Sequence, residues 1–184
     1  MAAIAHLGFG FAAKPFAPEI NIGYLLIGSE VLDLLWYGFA AVGLEALPKP
    51  DVPGHPPYWE HSLLMATVWS LLFGLLAAWL VRRRDRKLRV GLVFGLVVFS
   101  HWVLDFITHP MTAVVPGDAG LPLGFGDSPL IGIGLYRSMT AIWVTEIGFT
   151  ALGVLIYALT KIRMKRVAST AVHARRVGRW GGTS

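Results

Sequence analysis

The chain has 184 residues, of which 55% are hydrophobic and only 15% are charged. A composition this apolar excludes an ordinary soluble domain and indicates a membrane protein. The net charge of +5 is concentrated in short basic runs beside apolar segments, which is typical of cytoplasmic loops near anionic lipid rather than of a nucleic-acid surface. Because there is no cysteine, disulfides and thiolate metal sites are excluded, and any metal must be held by His, Asp or Glu.

The first apolar segment is too short to span a membrane and ends at Lys14-Pro15. We expect it to form a short helix that lies in the bilayer or dips into it. Its one histidine, His6, has two interpretations: an interfacial side chain, or a ligand that reaches the protein core.

The second apolar segment, residues 20–44, is long enough to span a membrane. It carries two carboxylates near its middle, Glu30 and Asp33, which share one face of a helix because they are three residues apart. No basic residue in this segment neutralises them. Their partner must therefore be a proton, a metal ion or another helix.

Three further apolar segments predict three more spanning helices, separated by a basic run and by a loop rich in glycine and proline. His61 stands near the start of the second span, and Glu146 is an acid in the middle of the fourth. The predicted spans are 58–81, 88–109 and 131–160, and the loops rich in proline or glycine are 45–58 and 111–130.

The basic runs at 82–87 and 161–166 are separated by two predicted spans, so one topology places both in the cytoplasm. The predicted fold is therefore all-α: a polytopic bundle of about four spanning helices plus a short N-terminal membrane helix over 1–160, followed by a basic cytoplasmic tail over 161–184. We expect this bundle to lie in a bacterial inner membrane.

The third span carries the pattern on which the functional prediction depends. His101, Asp105 and His109 recur every four residues and so face one side of a helix. With a rise of about 1.5 Å per residue, they lie roughly 20, 26 and 32 Å above its cytoplasmic end. The same estimate places further ionisable side chains at about 20 to 30 Å, namely Asp33, Glu146 and His61.

Ionisable groups from four helices at matching depths predict one polar pocket that opens outward. An imidazole and a carboxylate at positions i and i+4 offer two ligands to a divalent metal, and other helices can complete the site. We expect an inner ligand set of His61, His101 and Asp105, with Asp33 as the fourth ligand. His6 and His109 are further candidate ligands.

A metal ion with an open position would hold a water molecule of lowered pKa and so supply hydroxide for hydrolysis. Glu30 or Glu146 could then serve as general base or orient a ligand imidazole. Two other interpretations fit the same residues: a proton or cation path in a transporter, and a polar network in a scaffold without catalytic activity.

Four segments occur in an order that resembles the YdjM-like family, whose members are described as membrane-bound metal-dependent hydrolases. The resemblance covers about residues 4–157, and its His-x-x-x-Asp segment is the most specific part. The segments contain His6, Glu30 with Asp33, His61, and the run Ser100 to His109.

That family is distantly similar to zinc-dependent phospholipase C and single-strand nucleases, which bind zinc with a His-x-x-x-Asp helix. The resemblance implies a divalent metal, zinc in the first place with manganese and iron as alternatives. It also implies phosphoester hydrolysis, with a membrane lipid or a small lipid-like molecule as substrate. Closer relatives carry Arg-Pro-Asp after the histidine matching His109, whereas here the acids of that loop are Asp118 and Asp127.

Overall fold

A computed structural model describes residues 4–45 and 57–180, with side chains for all of these except 168 and 171–180. The described chain is mostly helical, so the prediction of an all-α fold is confirmed. Most of the predicted loop 45–58 lies outside the described residues. The elements are α1 (Ile4–Ala12), α2 (Ile22–Ser29), α3 (Val31–Ala41), α4 (Tyr58–His61), α5 (Leu63–Leu80), α6 (Lys87–Thr108), β1 (Leu121–Pro122), β2 (Leu130–Ile131) and α7 (Met139–Trp180).

Within the described residues, three segments are long and apolar enough to cross a membrane: α5, α6 with the turn before it, and α7 as far as Val167. Helices α2 and α3 meet the same criterion only as a pair, and they are bent by 57° at the residues between them. The predicted span over 20–44 is therefore broken into two helices, and the described chain has three candidate spans, or four if the bent pair counts as one.

The bend in the first predicted span lies at Ser29 and Glu30. The hydroxyl of Ser29 donates a hydrogen bond to the carbonyl of Leu26 at 2.8 Å, and the amide of Glu30 turns back to the carbonyl of Ile27. The break places Glu30 at the junction of α2 and α3.

The second predicted span is also broken, at Ser62. This residue has extended backbone, and its hydroxyl accepts the amide of Met65 at 3.2 Å, which caps the start of α5. The preceding turn is therefore a separate helix, α4, rather than the first turn of the span. His61 is its last residue.

The fourth predicted span begins eight residues later than expected, at Met139. Residues 130–131 instead pair with β1 in an antiparallel hairpin, and Leu135–Arg137 forms a single 3-10 turn. The helix then continues to Trp180 without a break at residue 160. The fourth span and most of the basic segment predicted as a tail are thus one continuous helix.

The predicted N-terminal helix is present as α1, and it packs against α7, α2 and α6. Two glycines permit this close packing: a Cβ atom at Gly8 would meet the backbone of α7, and one at Gly153 would meet the backbone of α1. Because only glycine lacks a Cβ atom, the two helices lie in direct backbone contact. His6 therefore lies inside the bundle, with 4% of its surface exposed.

Candidate metal centre

Five of the six predicted metal ligands come together beside the C-terminal part of α6. They form two overlapping groups that could each hold a metal ion, and His101 belongs to both. All five are buried except Asp33, whose side chain is 33% exposed. The five residues come from four helices: His6 from α1, Asp33 from α3, His61 from α4, and His101 with Asp105 from α6.

Two imidazole nitrogens of this cluster each lie close to two carboxylate oxygens. His61 Nε2 lies 3.3 Å from Asp33 Oδ1 and 3.4 Å from Asp105 Oδ2. His101 Nε2 lies 3.6 Å and 3.4 Å from the same two oxygens. Tetrahedral zinc with bonds of about 2.0–2.2 Å separates its ligand atoms by about 3.3–3.6 Å. The four nitrogen-to-oxygen separations fall in that range. The ligand atoms that all lie within 4.8 Å of one another form two sets of three: His6, His101 and Asp105, and Asp33, His61 and His101.

The ring of His101 is oriented by the break between α2 and α3. Its Nδ1–H donates to the carbonyl oxygen of Ser29 at 2.6 Å. Ser29 ends α2, where carbonyl groups lack partners within the helix. Because a neutral imidazole has one donor and one acceptor nitrogen, Nε2 keeps its lone pair. That nitrogen is buried and has no hydrogen-bond donor among the described residues, as expected of a metal ligand.

His61 is held at its backbone and at its ring. The indole nitrogen of Trp102 donates to the carbonyl oxygen of His61 at 2.9 Å, which ties α4 to α6. The ring nitrogen Nδ1 faces Oε1 of Glu60 at 3.5 Å. With Nδ1 turned toward Glu60, the opposite nitrogen faces Asp33 and Asp105.

His6 approaches Asp105 from the other side. Its Nε2 lies 3.4 Å from Oδ1, the oxygen that His61 and His101 do not face. Its ring stacks on that of His101 with centroids 3.8 Å apart. His6 thus contacts both residues of the His-x-x-x-Asp pair, and its assignment as a ligand stays a prediction.

Glu146 holds the helix that carries His6. Its Oε2 accepts the amide of Ala5 at 2.9 Å, and its Oε1 accepts the hydroxyl of Tyr136 at 2.5 Å. Both oxygens are therefore engaged in fixing α1 and the turn before α7. The role of Glu146 as general base or partner of an imidazole stays a prediction.

Glu30, the other predicted acid–base residue, stands at the junction of α2 and α3, next to the Ser29 carbonyl that orients His101. Its Oε1 is buried and has no hydrogen-bond partner in the described part of the chain. A carboxylate oxygen in this state is available to accept a proton.

His109 lies outside the cluster, contrary to the expectation from its spacing. Helix α6 ends at Thr108, and His109 has extended backbone, so its side chain leaves the helical stripe. Its Nδ1 lies 2.8 Å from Asp118 Oδ2. Burial opposes ionisation of Asp118, but hydrogen bonding and attraction to His109, with bonds from the amides of Met111 and Gly120, hold the pKa of Asp118 below its usual value.

Four contributors to the site were missed in the sequence. Glu60 adjoins His61 and could have been noticed as an acid beside a ligand. The contributions of Ser29, Trp102 and Tyr136 depend on backbone carbonyls and on residues distant in sequence. No local pattern predicts such contacts.

No protein-family model matches the chain, and comparisons with curated proteins and with solved structures also find no match. The geometry therefore stands by itself. It provides two overlapping groups of histidines and aspartates, which together draw on four helices and could each hold a metal ion.

Proposed function

We propose that this protein is an integral membrane protein that binds one divalent metal ion, zinc in the first place, and hydrolyses a phosphoester or lipid-like substrate. The observation that carries the proposal is the set of four separations of 3.3–3.6 Å between two imidazole nitrogens and two carboxylate oxygens. The predicted resemblance to YdjM-like hydrolases agrees with this chemistry.

The charge distribution supports a membrane location with the basic loop 82–87 and the C-terminus in the cytoplasm. At the start of α6, Arg89 pairs with Glu19 of the α1–α2 connection at 2.6 Å. Lys14 of the same connection is close enough to Lys161 of α7 for their charges to interact. Basic residues of three segments therefore share one end of the bundle, as the positive-inside rule requires in a bacterial inner membrane.

The proposed chemistry divides between holding the ion and moving a proton. His61, His101, Asp33 and Asp105 would hold the ion, which when bound supplies a water ligand with a pKa lowered to about 7. Glu30, with its free buried oxygen, would accept the proton of the attacking water and return it to the leaving group. His6 would hold Asp105 through the oxygen that faces away from the other two imidazoles.

The cluster has one open side. The side chain of Asp33 is 33% exposed, whereas those of His6, His61, His101 and Asp105 are at most 10% exposed. Asp33 lies on α3, just past the bend in the broken span. A substrate would therefore reach the ion along α3.

A transport function is the second candidate, because the span formed by α2 and α3 is broken beside the ionisable cluster. Discontinuous helices near the middle of the membrane often line ion sites in transporters. Against it, the carbonyl of Ser29 at the break is already occupied by His101.

The test is elemental analysis of detergent-purified protein after incubation with zinc and dialysis. We expect about one zinc per chain in the wild type, none in Asp105→Ala, and about one in Asp127→Ala, since Asp127 is an exposed loop residue. Zinc-loaded protein should also hydrolyse phospholipid vesicles or an aryl phosphodiester. A wild type that stays empty would contradict the metal site and direct work to transport assays. Zinc binding without hydrolysis of any phosphoester would contradict the hydrolase assignment.

A further inference from the structure

A cavity of about 590 Å³ lies where α6 ends. Its walls come from the last turn of α6, the following loop, β2 and the turn before α7, and none of the five clustered residues lines it. Most of the described lining residues are apolar, among them Phe106, Leu130 and Ile131, and Arg137 is the only one of them that carries a charge. A cavity with this lining suits a molecule that has an apolar part and one anionic group.

Arg137 stands apart from the other basic residues of the chain. It is the only lysine or arginine between Arg89 and Lys161. Its guanidinium has no hydrogen-bond or carboxylate partner among the described residues, and the acid of the adjoining loop, Asp118, is paired with His109 at 2.8 Å. A guanidinium offers five N–H donors in a planar fork, so Arg137 is free to bind an anion.

The backbone beneath Arg137 is fixed to the end of α6. The amide of Ile133 donates to the carbonyl of Phe106 at 2.9 Å, and that of Gly134 donates to the carbonyl of His109 at 2.6 Å. A Cβ atom at Gly134, which has a φ of +80°, would lie 2.5 Å from Nε of Arg137. The Arg137 side chain therefore lies directly against the Gly134 backbone, which reduces the side-chain entropy that is lost when it binds a ligand.

The position of the cavity along the bundle favours phosphate as the anion. Helix α6 has 22 residues, which at about 1.5 Å per residue cover about 33 Å, close to the hydrocarbon thickness of a bilayer. Arg89 stands at the start of this helix and Arg137 lies beyond its other end. In the proposed orientation, Arg137 lies at the level of the outer headgroups, where lipid phosphates are concentrated. Arginine recognises phosphate with two parallel N–H donors.

We propose that this cavity binds a phosphate group, with the guanidinium of Arg137 donating to two phosphate oxygens and the apolar wall contacting the organic group attached to it. The phosphate belongs either to a lipid headgroup or to a soluble phosphate. Because the site shares no residue with the metal cluster, this inference goes beyond the proposed function and needs no metal.

The test is side-chain nitrogen–proton NMR of arginine-labelled, metal-free protein in a neutral detergent. The Nε–H signal of Arg137 is assigned by its loss in Arg137→Lys. The titrants are inorganic phosphate, dihexanoyl phosphatidate and dihexanoylglycerol, which has the same acyl chains as the phosphatidate but no phosphate. Each titration is repeated in Ala119→Phe, which fills the cavity without a change of charge. Ala113→Phe, at an exposed position of the same loop outside the cavity lining, is the matched control.

We expect the Arg137 signal to shift saturably with at least one of the two phosphate compounds and to stay in place with dihexanoylglycerol. Tighter binding of phosphatidate than of inorganic phosphate identifies a lipid headgroup as the ligand, and the reverse order identifies a soluble phosphate. Ala119→Phe should bind at least about tenfold more weakly, because the phosphate loses its charge-assisted hydrogen bonds to Arg137. The control should stay within about twofold of the wild type.

The inference is overturned if neither phosphate compound shifts the Arg137 signal saturably, if dihexanoylglycerol shifts it equally, or if Ala119→Phe binds as tightly as Ala113→Phe. Should Ala119→Phe fail to fold, the smaller substitution Ala119→Leu decides. A wild type that binds no zinc would contradict the proposed function and leave this titration unaffected.

Discussion

His101 and His109 lie two helical turns apart in the same sequence stripe, yet they have different surroundings. His101 stands in the interior of α6, where α1, α3 and α4 each bring a further ionisable side chain to it. His109 stands just past the end of α6 and meets one acid from the following loop, Asp118. A shared helical face therefore makes a multidentate site only where several other elements converge on it.

The acids in the two places differ accordingly. Asp105 has each oxygen facing at least one imidazole, and those imidazoles belong to three different helices. Asp118 has its oxygens facing one imidazole and two nearby backbone amides. The first arrangement resembles a metal site, whereas the second is a set of local hydrogen bonds that stabilises the loop after α6.

The largest expected effect comes from truncating the two histidines in turn. His101→Ala should lower zinc affinity by at least about 100-fold, because it removes a ligand nitrogen and leaves Asp105 with one fewer partner. His109→Ala is the matched control and should bind zinc within twofold of the wild type. Competition with a chelator measures both.

Equal zinc affinities in His101→Ala and His109→Ala would contradict the conclusion that His101 lies in a metal site and His109 lies outside it. It would mean that the interior cluster has no greater affinity for the metal than the pair at the helix end.

An intermediate effect is expected at Glu146, which holds α1 and thus His6 against the cluster. In Glu146→Gln, one carboxylate oxygen is replaced by an amide NH2 group. That group cannot accept the hydrogen bond that the Ala5 amide or the Tyr136 hydroxyl donates there. We expect a loss of about 1–3 kcal/mol in the free energy of unfolding. Zinc affinity should fall less than in His101→Ala. Denaturant unfolding in detergent and chelator competition measure the two quantities.

The carboxylate-to-amide change Asp127→Asn, at an exposed position, is the control for this measurement. If Glu146→Gln unfolds at the same denaturant concentration as that control, Glu146 does not anchor α1.

The smallest expected effect is at Asp118. Its lowered pKa means that its ionised form stabilises the fold, so this contribution is present above the ordinary aspartate pKa of about 3.9 and is lost as the pH falls through the lowered value. Asp118→Asn should therefore cost about 1 kcal/mol at neutral pH and less under strongly acidic conditions. Unfolding curves of wild type and variant at both pH values test this.

Zinc affinity should be unchanged in Asp118→Asn. A stability difference that grows as the pH falls would refute the assigned role of the His109–Asp118 pair.

Much of the site was predictable because it obeys helix geometry. The i, i+4 spacing of His101 and Asp105 on one face is a consequence of the helix period. That relation holds for any straight helix, so these two side chains could be expected together before any contact was known. The depths expected for His61 and Asp33 assumed unbroken helices, whereas both residues lie beyond a break in their predicted spans.

The misassigned residues share a different cause. The break between α2 and α3, the end of α6 before His109, and the late start of α7 are helix boundaries within or beside apolar segments. Apolar composition continues across each boundary, so hydropathy does not reveal it. The anchoring contacts of Glu146 could not be predicted, because its partners, the Ala5 amide and the Tyr136 hydroxyl, are 141 and 10 residues away in sequence.

The amino-acid sequence by itself determined the class of the protein, its apolar helices, its uneven charge and the residue types of the site, because composition and periodicity act locally along the chain. The tertiary structure alone decided which imidazole nitrogen faces which carboxylate, which acid anchors a helix, and which histidine of the stripe is left out. Those outcomes depend on contacts between α1, α3, α4 and α6, and on where each helix ends. Contacts of this kind form only when distant segments pack together.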